Sequence, residues 1–344
     1  MKERKGLFLG IFSAVGMLML ILDSKVALDG AHQGILLCLR SVLPSLLPFV
    51  FLSILLTGTL VGKKIPFLGP IGHLCGIPEG SESILAIGLI GGYPVGAQSI
   101  CRAYRSKQLT KQEANRLLSF CNNAGPAFIF GITGMLFTTS QIVWCLWSIH
   151  IFSALLVGML MPGKSRHSRT ASAANPVRPT DALRKTLRVM AEICGWVILF
   201  RIMISFCNRW FLWLLPKTLQ VIFIGLLELT NGCHEIVSLQ NEQLRFILCS
   251  FFLSFGGLSV AMQTISVTEG LHIRFYFYGK LLQSILSVCI SFVVTPFLFP
   301  SNVDFTSFLP VFLIIPILFV IFFTILKKTV AKPKVLVYNE PINR

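Results

Sequence analysis

The sequence predicts an all-α polytopic membrane protein with about eight transmembrane helices and two re-entrant helical hairpins arranged as an inverted repeat. Three observations lead there. Hydrophobic residues make up 54% of the 344 and charged residues 13%, and mean hydropathy is +0.76; an ordinary globular domain is roughly 45–50% apolar and 25% charged. The apolar residues gather in runs long enough to cross a bilayer, which takes about 20 residues of helix. Two further apolar segments, 85–100 and 221–236, are broken by Gly, Pro or charge, and each is followed by a second small-residue break inside a membrane-length run.

Taken in chain order, the run 6–22 follows the basic start Met1-Lys2-Glu3-Arg4-Lys5. It reads as a retained span, because Asp23-Ser24-Lys25-Val26-Ala27 is a poor cleavage site and the chain beyond it is membranous. Further spans are expected near 34–61, 117–137, 142–162, 189–214, 245–265, 276–299 and 307–326. The segments 83–100 and 219–238 remain. A Gly, Pro or charge at the centre of each would leave backbone polar groups unpaired in hydrocarbon, and a hairpin that enters and leaves by one face resolves this.

The first unit reads Gly91-Gly92-Tyr93-Pro94-Val95-Gly96-Ala97, then Cys121-Asn122-Asn123-Ala124-Gly125-Pro126. The second reads Leu227-Glu228-Leu229-Thr230-Asn231-Gly232, then Ser254-Phe255-Gly256-Gly257-Leu258-Ser259. Matching interruptions in two halves point to a transporter site near the bilayer midplane. The chain thus divides into N-terminal transmembrane helices (1–62), a first repeat of hairpin plus broken helix (63–162), a basic cytoplasmic linker (163–188), a second repeat (189–265), and C-terminal helices with a basic tail (266–344).

The formal charge of +16 would suggest nucleic acid in a soluble protein, but here the cations sit in short segments between apolar runs. Their role is topological, and the partner is the lipid bilayer. With both termini cytoplasmic and both hairpins re-entrant, Lys63, Lys64, Arg102, Arg105, Lys107, Lys111, the 164–188 cluster, Arg274 and Lys327–Lys334 all fall inside. Hairpin one then enters from the cytoplasm and hairpin two from the opposite face. If both crossed fully, the cluster at 164–188 would move outside. The basic residues of 163–180 read as a solvated loop or as contacts to anionic headgroups.

Ten cysteines, at 38, 75, 101, 121, 145, 194, 207, 233, 249 and 289, form no CxxC pair and read as small buried hydrophobes. Cys233-His234-Glu235 offers too few ligands for a metal. No GxSxG, HExxH or GxxxxGK[ST] signature is present, so no enzyme activity is expected.

The residues that suit a substrate site are Tyr93 and Gly96 at the first hairpin tip, and Ser119, Asn122 and Asn123 at the first broken helix. From the second unit come Thr230 and Asn231 at its tip, with Ser259 and Gln263 beside Gly256-Gly257. Amide side chains next to a Gly-Pro break supply donors and acceptors where the helix unwinds; Asn122 and Asn123 also fit a plain kink with interhelical hydrogen bonds. Glu228 at membrane depth costs roughly 2.5 kcal/mol or more on insertion scales. It suits binding a cation, relaying a proton or pairing with a buried base, unless the tip lies at the interface and the side chain is simply wet. Arg40, Arg201 or Lys280 would neutralise Glu228 or a substrate carboxylate, or would snorkel. Half-helix N-termini attract carboxylates, and opposed carbonyls suit a proton donor or sodium ion; no cofactor is otherwise expected.

The first-unit motif, the stretch Leu109-Thr110-Lys111-Gln112-Glu113-Ala114, and Leu118-Ser119-Phe120 through Phe130-Gly131 resemble the YlbJ-type sporulation integral membrane proteins of the nucleoside-recognition, or Gate, group. Gly225-Leu226-Leu227-Glu228-Leu229-Thr230-Asn231-Gly232 and Ser254-Phe255-Gly256-Gly257-Leu258-Ser259-Val260 are similar to that family too. The resemblance implies a fold similar to concentrative nucleoside transporters. It also implies a role in endospore formation, where the family is associated with moving dipicolinate, a small aromatic dianion, from the mother cell towards the forespore. The location it implies is the cytoplasmic membrane or the outer forespore membrane. A nucleoside or nucleobase carrier is the alternative within transport, and a non-transporting scaffold, with sporulation-protein partners or a homo-oligomer, the alternative outside it.

Overall fold

A computed structural model describes residues 2–60, 63, 65–161 and 177–299. All regular structure among them is helical. The expected span 307–326 and the tail lie outside the described residues, as does 163–176 of the linker.

The chain opens with α1 (Lys2–Leu22) and α2 (Ser24–Leu37), which passes through a π-turn (Cys38–Val42) into α3 (Leu43–Leu60). Pro44 has no N–H to return to Arg40, so the ladder widens by one residue and the Leu43 N–H reaches the carbonyl of Cys38. The result is one 37-residue span, Ser24–Leu60. It starts ten residues before the expected 34, so Arg40 lies near its middle, exposed, and not at an end.

After α4 (Gly69–Leu74) come α5 (Glu82–Ile90) and α6 (Val95–Arg105), packed on each other and joined at 91–94. With 9 and 11 residues they reach roughly 13 and 16 Å, about half the 30 Å of a hydrocarbon core. The expected span 117–137 is split. Helix α7 (Lys111–Leu117), capped by a reciprocal Thr110–Glu113 box, ends before the non-helical stretch 118–125, and α8 (Pro126–Gly131) starts with Pro at its first position. Arg116 donates to the carbonyls of Gly76 (3.0 Å), Gly158 (2.8 Å), Met161 (3.2 Å) and Cys75. It thereby satisfies the orphan carbonyls that end α9 (Ser140–Leu160).

Helix α10 (Pro179–Trp210) begins within the stretch assigned to the linker, with Pro179 and Asp181 in its first turn, so residues 179–188 are helical. It packs along α2 and α3. Gly30 and Gly34 permit that approach: a Cβ on either would lie 2.9 Å from the backbone of Ile202 or Ile198.

The second unit repeats the order of the first. Helices α11 (Lys217–Leu227) and α12 (Leu229–Ile236) meet at Glu228 and pack together. Helix α13 (Glu242–Phe255) stops at Gly256, whose φ of +82° demands glycine, and α14 (Gly257–Val267) follows. Helix α15 (Ile273–Leu298) closes the described chain. Five stretches are long and apolar enough to cross a membrane: Ser24–Leu60, Ser140–Leu160, Pro179–Trp210, Glu242–Val267 and Ile273–Leu298. Buried α13 lies among α9, α11, α12 and α15.

Candidate functional site

Glycine chemistry at the breaks sets the site. Gly88 of α5 and Gly96 of α6 both press on the carbonyl of Cys121, where any Cβ would overlap it. The unwound stretch 118–125 is thereby threaded against the first helix pair. Gly92, at φ +75°, faces Gly125 so closely that a Cβ on Gly125 would stand 3.0 Å from the Gly92 Cα.

The asparagines after Cys121 then replace helix ladder bonds with long-range ones. Asn122 Oδ1 accepts from the Ala97 N–H at 3.2 Å and its Nδ2 donates to Thr264 Oγ1 at 2.9 Å, tying α6 to α14. Asn123 donates to the carbonyls of Phe120 (2.6 Å) and Gly88 (3.3 Å), and its Oδ1 accepts from Lys280 Nζ at 2.9 Å. Lys280 is 1% exposed. Its other contacts are Gln283 Oε1 at 2.8 Å and the face of Tyr93, 5.3 Å from the ring centroid. His150 Nε2 accepts from the Ala124 N–H at 3.2 Å, which leaves the ring proton on Nδ1, 3.4 Å from Ser254 Oγ.

In the second unit Glu228 is the N-cap of α12. Its φ and ψ are −148° and 124°, and Oε2 accepts from the Asn231 N–H at 2.6 Å and from Asn231 Nδ2 at 2.8 Å. Oε1 has a weaker partner, Ser259 Oγ at 3.3 Å. The carboxylate is 2% exposed, and among the described residues no cationic nitrogen lies within salt-bridge distance of it. The expectation that Arg201 or Lys280 neutralises it is corrected: Arg201 pairs with Glu235 at 3.2 Å and Gln33, and Lys280 is held by amide oxygens. Arg201 reaches Glu228 only through Asn231, whose Oδ1 it approaches at 3.4 Å.

The four breaks meet. Tyr93 OH donates to the Leu253 carbonyl at 3.0 Å, just before Gly256, and Gly257 abuts Gly225 O and Leu229 N. Between them lies a narrow cleft of about 50 Å³ lined by Gly91, Gly92 and Tyr93, by Gly125 and Ala127, by Glu228 to Thr230, and by Val260 and Gln263, with α3 and Ile193 completing the wall. Of the residues picked from the sequence, Tyr93, Glu228, Thr230 and Gln263 line this cleft. Asn122, Asn123, Asn231 and Ser259 stand behind them as supports. Gly96 and Ser119 do not reach it. Gly96 serves backbone approach, and the Ser119 hydroxyl is bonded to the Arg116 carbonyl at 2.6 Å, under Gly279 of α15. Gln283, His150 and Thr264 carry no site expectation from the sequence, and Lys280, expected as a base for Glu228 or a substrate carboxylate, bonds instead to Asn123 and Gln283. The signal for Lys280 and Gln283 was a Lys-x-x-Gln spacing inside an apolar run, which places both on one helix face.

No protein-family model and no solved structure matches the chain. The sporulation integral membrane protein YlbJ of Bacillus subtilis (strain 168) does: 28% identity over 312 aligned positions, covering 76% of this chain and 76% of that protein. The chain is similar to YlbJ. That similarity agrees with the resemblance read from the motifs, and with the apolar helices it makes this a multi-pass integral membrane protein.

Proposed function

We propose that the protein is a secondary transporter of a small organic anion, with dipicolinate leaving the mother cell during endospore formation as the substrate, a reading supported by the similarity to a sporulation membrane protein. The observation that carries this reading is the convergence of four chain breaks, two from each half: three line one cleft, and the fourth, Gly256–Gly257, packs against Tyr93 and Leu229 beside it. A membrane scaffold has no use for a buried carboxylate, a buried ammonium and a set of unwound helices at one level. In this reading α5–α6 and α11–α12 are re-entrant hairpins entering from opposite faces. The spans number about eight, the termini are cytoplasmic, and the fold belongs with the Gate group and the concentrative nucleoside transporters.

Two features favour an anion. Lys280 brings a cationic side chain with no carboxylate partner to the back of Tyr93. The N-terminal amides of α6 and α12 are occupied by Asn122 and Glu228, whereas α8, whose Gly125 and Ala127 line the cleft, has no side-chain cap. Glu228 repels a dianion in the same space, so co-binding of a proton or sodium ion at its Oε1 offsets that repulsion and couples the two movements. Tyr93, Thr230 and Gln263 contact the substrate, the Asn and Ser residues behind them hold the geometry, and no residue performs a chemical step.

The test is uptake of labelled dipicolinate into liposomes containing the purified protein, under imposed proton or sodium gradients, with uridine as competitor. Gradient-driven uptake that uridine does not block is expected. Uptake blocked by uridine would transfer the site to nucleosides, and no flux of either compound would remove transport of both.

A further inference from the structure

A second cavity, of about 360 Å³, opens between α3, α6, α10 and α14. Its lining holds Arg102 and Arg105 of α6 and Lys185 and Arg188 of α10, and no carboxylate. Glu269, 86% exposed, pairs with Arg105 at 2.8 Å, and Asp181 and Glu192 lie one turn from Lys185 and Arg188 on α10, but none of the three lines the cavity, whose own lining carries four cations. All four side chains are exposed, so they stand at the mouth of the cavity. Here two pairs, each spaced i, i+3, turn from separate helices into one concavity, the shape that focuses field and concentrates counter-ions.

The cavity is in line with the central cleft. Both are walled by the same elements one helical turn apart: Val50 then Ile54 on α3, Ile193 then Val189 on α10, Gln263 then Val267 on α14, and Tyr93 then Val95 at the first hairpin. Between the two spaces the facing side chains are apolar, with Ile54, Val95 and Val189 buried.

We propose that this basic cavity is a binding site for small dicarboxylates, a vestibule that gathers them for the central cleft, with the Ile54–Val95–Val189–Val267 collar as the gate between. The vestibule rests on the transport reading for its purpose but not for its binding of dianions. Guanidinium and ammonium groups from two helices take the two carboxylates of one rigid molecule, while the collar keeps bulk ions from following when closed.

The experiment places a reporter thiol in the cavity by Gln98→Cys in the full chain, reconstituted in liposomes, and follows its modification by peptide mass spectrometry. The rate of an anionic methanethiosulfonate should exceed that of a cationic one about tenfold at low salt. That preference should fall with added salt, and dipicolinate should slow both reagents. Adding Arg102→Gln, Lys185→Gln and Arg188→Gln should abolish the preference and the protection, and raise the KM for dipicolinate flux about tenfold. Equal rates for the two reagents, or no protection by dipicolinate, would overturn the vestibule. Protection present in phosphatidylcholine liposomes but lost in phosphatidylglycerol would also overturn it, because the site would then belong to lipid headgroups. Flux with an unchanged KM in the triple variant sinks the vestibule and leaves the transporter. Protection without flux in the parent sinks the transporter and leaves the anion site.

Discussion

Glu228→Gln separates the two roles that the geometry gives this carboxylate. As the N-cap of α12 it accepts from the Asn231 N–H and side-chain amide, and from Ser259. A glutamine keeps an oxygen for Asn231 N–H and presents an NH₂ to Ser259 Oγ, which can accept. What is lost is charge: a charge-assisted bond is roughly twice as strong as a neutral one, and a carboxylate at a helix N-terminus contributes about 0.3–1 kcal/mol beyond that. The variant should therefore lose about 1–2 kcal/mol. By contrast Glu228→Ala, which strands the buried Asn231 N–H, should lose about 3 kcal/mol. In detergent the Tm should drop by a few °C for the glutamine, at about 2–4 °C per kcal/mol, and clearly more for the alanine. In liposomes Glu228→Gln should abolish gradient-driven accumulation of dipicolinate while folding normally. Full accumulation by a folded Glu228→Gln protein would refute the coupling role and leave Glu228 as a helix cap alone.

Lys280→Met should weaken dipicolinate binding: across roughly 8 Å at an effective dielectric of 20, each unit of charge is worth about 2 kcal/mol, or about 30-fold in Kd. Titration calorimetry on the detergent-solubilised protein reads this, and an unchanged Kd removes Lys280 from recognition. Gly88→Ala and Gly96→Ala should each collapse the yield of monodisperse protein on size-exclusion chromatography, since the new Cβ overlaps the Cys121 carbonyl. Gly195→Ala, where nothing stands within 4 Å, should be neutral or raise stability by up to about 1 kcal/mol. Arg116→Met strands the carbonyls that end α9 and should lower the Tm sharply, whereas dipicolinate affinity in whatever protein remains folded should be unchanged, because Arg116 does not line the cleft.

The membrane class, the helical content and the location of the chain breaks are properties of local sequence. Apolar run length decides what can cross hydrocarbon, and Gly-Gly-Tyr-Pro, Asn-Asn-Ala-Gly-Pro and Gly-Gly interrupt a helix wherever they occur, because they lack Cβ atoms or N–H donors. Helix starts were less legible: α10 begins at Pro179 and not near 189, since a polar first turn carries no hydropathy signal but is stabilised by Pro at its first position and Asp181 beside the helix dipole. What only the tertiary structure decided is partnership. Glu228 bonds to Asn231, three residues on, where a distant base was expected, and Arg201 goes to Glu235. Lys280 finds Asn123, 157 positions away, and Ser119, beside the asparagines in sequence, turns from the cleft to its own helix end. Side-chain partners across such separations depend on which helix faces meet. That is fixed by glycine contacts such as Gly88–Cys121 and Gly30–Ile202, whose two members are written far apart in the chain.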